Sequence, residues 1–322
     1  MFRQNSKPCA FSIALWFVLT ATSAVLSQED DPPFGTSDTN VGYIDSAIPA
    51  TQIRFRYDSA YGNPLPDRAE FFYRAAMLPG GGLPPSAETR VDYQDISPYF
   101  ELALSPNRSV FVEAPIRFIN PEVNANTAGI GDIQVGAKQV LWTSLSDLLT
   151  LQFRTYIPTG DASQRLGTDH ISLEPGFLYT KRIDPLTTFE SELRLWIPID
   201  ATETPTGDAF SGPILRYGIG VGHDLYRLNG CAYCNRCADR RLTAVAEFVG
   251  WSILDGRGTV PTATTAPFGA MQIDVAGDTI VNGKFGLRWT AQQKSIYVGY
   301  GRGLTGDVWY SDILRAEFVT RF

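Results

Sequence analysis

The chain has 322 residues, a formal net charge of −7, 44% hydrophobic residues and 12% aromatics. That acidic balance argues against nucleic acid as a partner. Generous Gly (29) beside scarce Met (3), His (2) and Cys (4) suits a turn-rich all-β protein better than a helical one.

The N-terminus reads as a signal peptide over 1–27. Arg3 and Lys7 precede the apolar run AFSIALWFVLTATSAVL, and small residues lead to Gln28-Glu29-Asp30, so cleavage after Ser27 or Ala24 fits. A retained N-terminal anchor is the alternative. Cys9 precedes the apolar run and so is not at the usual lipoprotein attachment position. Residues 28–50 read as a flexible N-terminal segment, and 51–322 as the folded unit. Beyond residue 28 no run reaches the ~18 apolar residues of a membrane-spanning helix. An exported chain of this kind is either soluble outside the inner membrane or a β-barrel in an outer one.

Period-two alternation dominates from residue 51 onward. Ile53, Phe55 and Tyr57 alternate with Arg54, Arg56 and Asp58. Val110, Val112, Ala114, Ile116 and Phe118 face away from Glu113 and Arg117. Leu149, Leu151, Phe153 and Ile157 oppose Thr150, Gln152 and Arg154; Phe189, Leu193, Leu195, Ile197 and Ile199 oppose Glu190, Glu192 and Arg194. Val281, Phe285, Leu287 and Trp289 alternate with Asn282, Lys284 and Arg288. The pattern predicts about twelve strands, near 51–58, 91–104, 109–118, 130–142, 147–157, 170–183, 187–199, 213–228, 240–254, 278–290, 294–302 and 312–322; many approach the ~9–11 residues that cross a bilayer at a tilt.

Connections alternate between short turns (105–108, 143–146, 184–186, 291–293) and long loops (59–90, 119–129, 158–169, 200–212, 255–277, 303–311), with 229–239 overlong for its class. Short turns at one end and long loops at the other is the plan of a transmembrane antiparallel up-and-down β-barrel, with turns periplasmic and loops outside. The soluble alternative is a β-sandwich or lipocalin-like barrel, apolar inside and polar outside. The loop 59–90, with Phe71, Phe72 and Tyr73 between Pro- and Gly-rich ends, either folds into the barrel mouth or caps it.

Two stretches, GIGDIQVGAKQVL (Gly129–Leu141) and LQFRTYIPTGDASQRLGTDHISLEPGFLYT (Leu151–Thr180), resemble the meta-pathway phenol-degradation, transporter-like family of outer-membrane β-barrels. The shared pattern is a GxGD-led strand, a strand ending in PTGD, a loop, and a strand bearing ExxPG-like residues. The resemblance implies a cell outer-membrane location and passage of small, including hydrophobic or aromatic, solutes. It covers the middle third of the chain strongly and the rest as barrel pattern.

Charges on the polar parity cannot face lipid, where a midplane Arg or Lys costs ~2–4 kcal/mol. They therefore define a lumen: Arg54, Arg56, Glu101, Glu113, Arg117, Asp132, Lys138, Arg154 and Glu174 from the first half; Glu190, Glu192, Arg194, Arg216, Glu247, Lys284, Arg288, Arg315, Glu317 and Arg321 from the second. These form either a polar conduit that selects solutes or a self-paired network that fills a narrow barrel. Five Gly-Asp pairs fall at the long-loop end, placing Asp132, Asp161, Asp208, Asp278 and Asp307 as an acidic outer mouth for cations; turn chemistry is the simpler account. Gly218, Gly220 and Gly222 line one face of a strand, where inward glycines let a loop or the N-terminal segment approach the wall.

Cys231, Cys234 and Cys237 form CxxCxxC in the overlong turn. In an oxidising compartment one disulfide with a spare thiol is expected; a closed zinc site needs four ligands, and the turn offers three. No metal, cofactor or catalytic residue is therefore assigned, and the chain is not read as an enzyme. His170-Ile171-Ser172 is similar to the His-x-Ser of the outer-membrane phospholipase, but without its Asn-Gly context and with both side chains on the inward parity. The rivals to a channel are a non-conducting structural or adhesion barrel and a lipid-modifying enzyme.

The last residues, RAEFVTRF, alternate to the terminal Phe322. They are expected to pair with the first strand, leaving no open edge. Phe322 and Trp289 fall in the periplasmic aromatic girdle. A terminal aromatic on such a strand also resembles the signal read by barrel-assembly machinery. Partners expected are thus outer-membrane lipid, that machinery and a small-molecule solute.

Overall fold

The strand residues alternate, so each strand offers one apolar and one polar face, and closing the sheet decides which face is inside. The computed structural model describes residues 39, 41–63, 90–122, 125–199, 211–228, 240–261, 270–306 and 308–322. The signal peptide, Phe71 to Tyr73, the three cysteines of the CxxCxxC, Asp208 and Asp307 lie outside the described residues. So do 28–38 and residue 40 of the N-terminal segment.

Strands run β1 Gln52–Asn63, β2 Val91–Ser105, β3 Arg108–Glu113, β4 Ile116–Pro121, β5 Thr127–Ile130, β6 Ile133–Thr143, β7 Asp147–Ile157 and β8 Ile171–Arg182. They continue as β9 Thr187–Ile199, β10 Ile214–Leu228, β11 Arg240–Ile253, β12 Arg257–Pro261, β13 Ala270–Asp274, β14 Thr279–Ala291, β15 Lys294–Gly303 and β16 Asp312–Arg321. Fourteen of these form one antiparallel sheet, while β12 and β13 pair as a separate two-stranded sheet within the long loop read over 255–277.

The sheet closes on itself. β1 pairs with β2 on one side and with β16 on the other, from Gln52 opposite Arg321 to Tyr61 opposite Asp312. The C-terminal strand is the closing strand, as its alternation predicted, and Phe322 N donates to Thr51 O at 3.0 Å. β3 and β4 are two halves of one stave, both pairing with β2; β5 and β6 are likewise one interrupted stave. Twelve staves therefore make the barrel.

The two interruptions lie side by side, at Ala114-Pro115 and Gly131-Asp132. Pro115 has no N–H to give the ladder. The backbone is instead satisfied by Ala114 N to Pro98 O (3.1 Å) and Gly131 N to Pro115 O (2.7 Å). Continuous strands over 109–118 and 130–142 are thus corrected to broken ones reaching 121 and starting at 127, which shortens the loop read as 119–129 to 122–126.

Short turns close one end: 106–107, 144–146, 183–186 and 292–293. In the third, Asp184 accepts the Leu186 amide at 2.8 Å, a bond that holds its carboxyl below the usual carboxylate range. Among the described residues no helix is long and apolar enough to cross a membrane; strands are another matter.

The polarity is the inverse of a soluble barrel. Phe55 (52% exposed), Leu287 (49%) and Phe285 (62%) point outward, whereas Glu101, Arg288 and Arg194 are at most 1% exposed inside. The segment expected to be a flexible lead-in is corrected from Val41 onward: Val41, Tyr43, Ile44 and Ala47 are at most 3% exposed, and they lie inside the barrel.

Candidate functional site

The interior is built by the polar parity of the strands, and its charges pair along a stave or between staves that are adjacent or one apart. Toward the short-turn end Lys138 meets Glu101 at 3.1 Å, and Glu101 also accepts from Gln52, Tyr99 and Ser109. Higher up, Arg54 meets Glu113 at 3.2 Å, Arg56 and Arg288 meet Glu317 at 3.5 and 2.9 Å, and Arg315 meets Asp58 at 2.6 Å. Across the barrel Arg194 binds Glu174 (2.7 Å) and Glu192 (2.9 Å), and Glu192 takes Arg216 at 2.8 Å. Arg117 lies 3.5 Å from Asp95, Arg321 donates to Gln52, and Glu190 is 2% exposed. The structure therefore places every sequence-assigned lumen residue on the inner face.

What the strand pattern did not reveal is that many of these charges serve the N-terminal segment. Glu247 accepts three successive backbone amides of that segment, Gly42 (3.3 Å), Tyr43 (2.9 Å) and Ile44 (3.1 Å). Three arginines take three successive carbonyls: Arg288 on Val41 (2.6 Å), Arg315 on Gly42 (2.9 Å) and Arg216 on Tyr43 (3.2 Å). Such a pattern satisfies an extended backbone that would otherwise be buried without partners.

The Tyr43 ring lies under two cations, with Lys284 Nζ 3.6 Å and Arg315 Cζ 3.9 Å from its centroid. Its neighbour Asp45 receives Arg154 at 2.5 Å, Arg194 at 3.0 Å and Gln152 at 3.3 Å, while Asp45 N donates to Glu192. Farther along, Thr150 bonds Ala47 O and Glu101 bonds Ala50 N. Thr39 donates to Glu190 at 2.7 Å. Both Glu190 and Glu101 sit near short turns, so the segment rises from that end, reaches its apex around Tyr43, and returns to enter β1.

The inward glycines make room for it, as the sequence anticipated. A Cβ on Gly220 would stand 2.9 Å from Val41 Cγ1, and one on Gly218 3.1 Å from Ile44 Cγ1. Asp45 and Tyr43 were missed because VGYIDSAIPA has no periodicity of its own.

Above Tyr43 lies a cavity of about 170 Å³, walled by Tyr93, Tyr156, Trp196, Trp251, Trp309 and Tyr310 and by charges including Arg56, Arg154, Arg216 and Lys284. Beneath the apex, between Gly42 and Arg321, lies a space of about 10 Å³. That is about one water's worth of space. Among the described residues the lumen is packed around the segment and hollow above Tyr43.

The acidic mouth is only partly supported. Asp132 is 5% exposed and spends its carboxylate on Gly160 N (3.0 Å) and Thr168 N (2.8 Å), pinning the 158–170 loop rather than facing solvent. Asp161 is exposed and bonds Gln164; Asp278 follows Gly277, whose φ of +89° marks a turn. Among the described residues no group of three or more His, Cys, Asp or Glu converges as a metal site. His170 and Ser172 are both buried inside the barrel wall, away from its outer face. At the short-turn end Trp289 stacks on Tyr226 (14° between planes) and Phe322 is 71% exposed on the outer surface.

Residues 84–228 match the family model described as "Putative MetA-pathway of phenol degradation". The family resemblance is borne out there. A search of curated proteins returned no match. Among solved structures, the COG4313 outer membrane channel from Pseudomonas putida F1 aligns over 88% of this chain and 100% of its own at 11% identity and a TM-score of 0.52. The NanC porin aligns over 85% and 99% at 9% identity (TM-score 0.44), and the KdgM porin over 84% and 99% at 10% (0.39). At such identities the likeness to the channel is one of fold: this chain has the architecture of an outer-membrane barrel.

Proposed function

We propose that the chain is a cell outer-membrane channel for the passage of small solutes, held closed by its own N-terminal segment. The observation that carries this is the inverted barrel: an apolar outer band, a charged interior, and a cavity ending on a peptide rather than on the wall. The likeness in fold to a known outer-membrane channel supports the same reading. In that orientation the short turns and the entry of the segment are periplasmic, and the 170 Å³ cavity lies on the outer side of the segment. Lipid surrounds the outer band. The reading assigns no cofactor and no catalytic step.

The packed lower lumen favours a second reading, a structural barrel that conducts nothing. Planar-bilayer recording of the refolded protein separates them. The full chain is expected to open rarely, and a variant lacking 39–50 to give stable openings of at least several-fold larger conductance. If neither conducts at any voltage, although both run as folded, heat-modifiable barrels, the structural reading stands instead.

A further inference from the structure

Arg154 belongs to two environments. One side of its guanidinium donates to Asp45 at 2.5 Å, and the same residue lines the cavity above Tyr43. Among the described residues of the N-terminal segment Asp45 is the only acid, and it is delivered on a peptide rather than built into the wall. Arg194 at 3.0 Å and Arg54 at 3.9 Å complete a three-arginine cradle around it. A carboxylate brought on a peptide to the base of an open cavity occupies a place that a free carboxylate can contest.

The cavity has the chemistry to receive such a competitor. Six cationic side chains line it against four carboxylates. Two buried hydrogen-bond donors on its wall, Ser172 Oγ (residue 0% exposed) and Trp251 Nε1 (7%), have no hydrogen-bond partner among the described residues. Buried donors of this kind are costly unless something in the cavity accepts from them. The remaining wall is aromatic, with Tyr156, Trp196 and Trp251 presenting ring surface. At about 170 Å³ the space holds on the order of ten waters, enough for one substituted ring.

We propose that this cavity binds a small aromatic carboxylate, whose carboxylate group displaces Asp45 from Arg154 and so loosens the N-terminal segment. The ring stacks against the aromatic wall, Ser172 and Trp251 donate to the ligand, and Asp45 acts as a built-in surrogate for its charge. The binding half stands on the cavity alone; the opening half rests on the channel reading above.

The test uses the refolded full chain with benzoate as probe, benzamide as its uncharged counterpart and acetate as the charge without the ring. Tryptophan fluorescence should titrate saturably with benzoate, and at least tenfold more weakly with either control. Asp45→Asn, which removes the competitor, should bind benzoate several-fold more tightly, and Ser172→Ala several-fold more weakly. In bilayers benzoate should raise the open probability of the full chain, whereas Asp45→Asn should already open without it. Equal affinity for benzoate and benzamide, or an unchanged affinity in Asp45→Asn, overturns the site. Tight benzoate binding without added openings, in a protein whose variant lacking 39–50 does conduct, overturns the opening half alone. Should that variant not conduct, the channel reading falls while the titration still decides the site.

Discussion

At the scale of single residues, the interior solves a problem of burial with complementary charge. An extended peptide placed in a lumen loses water from every amide and carbonyl, and each group left without a partner costs ~1–3 kcal/mol. Glu247 answers for three amides and the arginines of β10, β14 and β16 for three carbonyls. Removing Glu247 should therefore loosen the segment without opening the barrel wall. In Glu247→Ala, amide exchange at Gly42, Tyr43 and Ile44 is expected to speed by about one to two orders of magnitude, while the β1–β16 seam keeps its protection. Equal acceleration at the seam would show that Glu247 supports the wall and not the segment. The same bookkeeping explains which residues the sequence exposed. Arg288 and Glu317 were readable as inward from their parity, but that Arg288 serves Val41 is a contact across 247 residues, with no local signal.

At the scale of elements, the two interrupted staves form a docking point for a loop. Pro115 and Gly131 break neighbouring strands at the same level, and the 158–170 loop fills the notch. Thr159 Oγ1 donates to Gly131 O and accepts from Ile133 N, Arg117 reaches Leu166 O, and the Leu166 side chain packs with Val91 and Ile119. Asp132 is the pin, since its carboxylate takes two loop amides and the Thr168 hydroxyl. Asp132→Ala is expected to cost the loop about 1–3 kcal/mol of local stability, with the barrel itself intact. Limited proteolysis should then cut within 158–170 at least tenfold faster than in the unaltered chain. An unchanged cleavage rate would return Asp132 to the solvent-facing role its Gly-Asp context first suggested. Alternation alone carried the strands through 109–118 and 130–142 because it records side-chain faces. It is blind to a missing backbone donor, and that is what Pro115 introduces.

At the scale of the whole molecule, fold and site were legible to different depths for one physical reason. A stave repeats its neighbour's pattern, so twelve staves and the closing β1–β16 pair could be read from period and loop length alone. The filler of the lumen repeats nothing; its only trace was glycine on the wall facing it, at Gly218 and Gly220. The membrane reading can be tested through the same polarity. Phe285 is the central residue of β14, 62% exposed and opposite Ala246 on β11 and Tyr300 on β15. In water such a position accepts Arg at little cost, since a surface substitution usually changes stability by within ~0.5 kcal/mol. Facing hydrocarbon at mid-depth it costs ~2–4 kcal/mol. Phe285→Arg should therefore lose ~2–4 kcal/mol in bilayer refolding, whereas Leu225→Arg, near the short-turn end of β10 and 59% exposed, should lose ~0–1 kcal/mol. A depth dependence of that kind requires a slab of lipid around the barrel, and equal costs at the two positions would remove it.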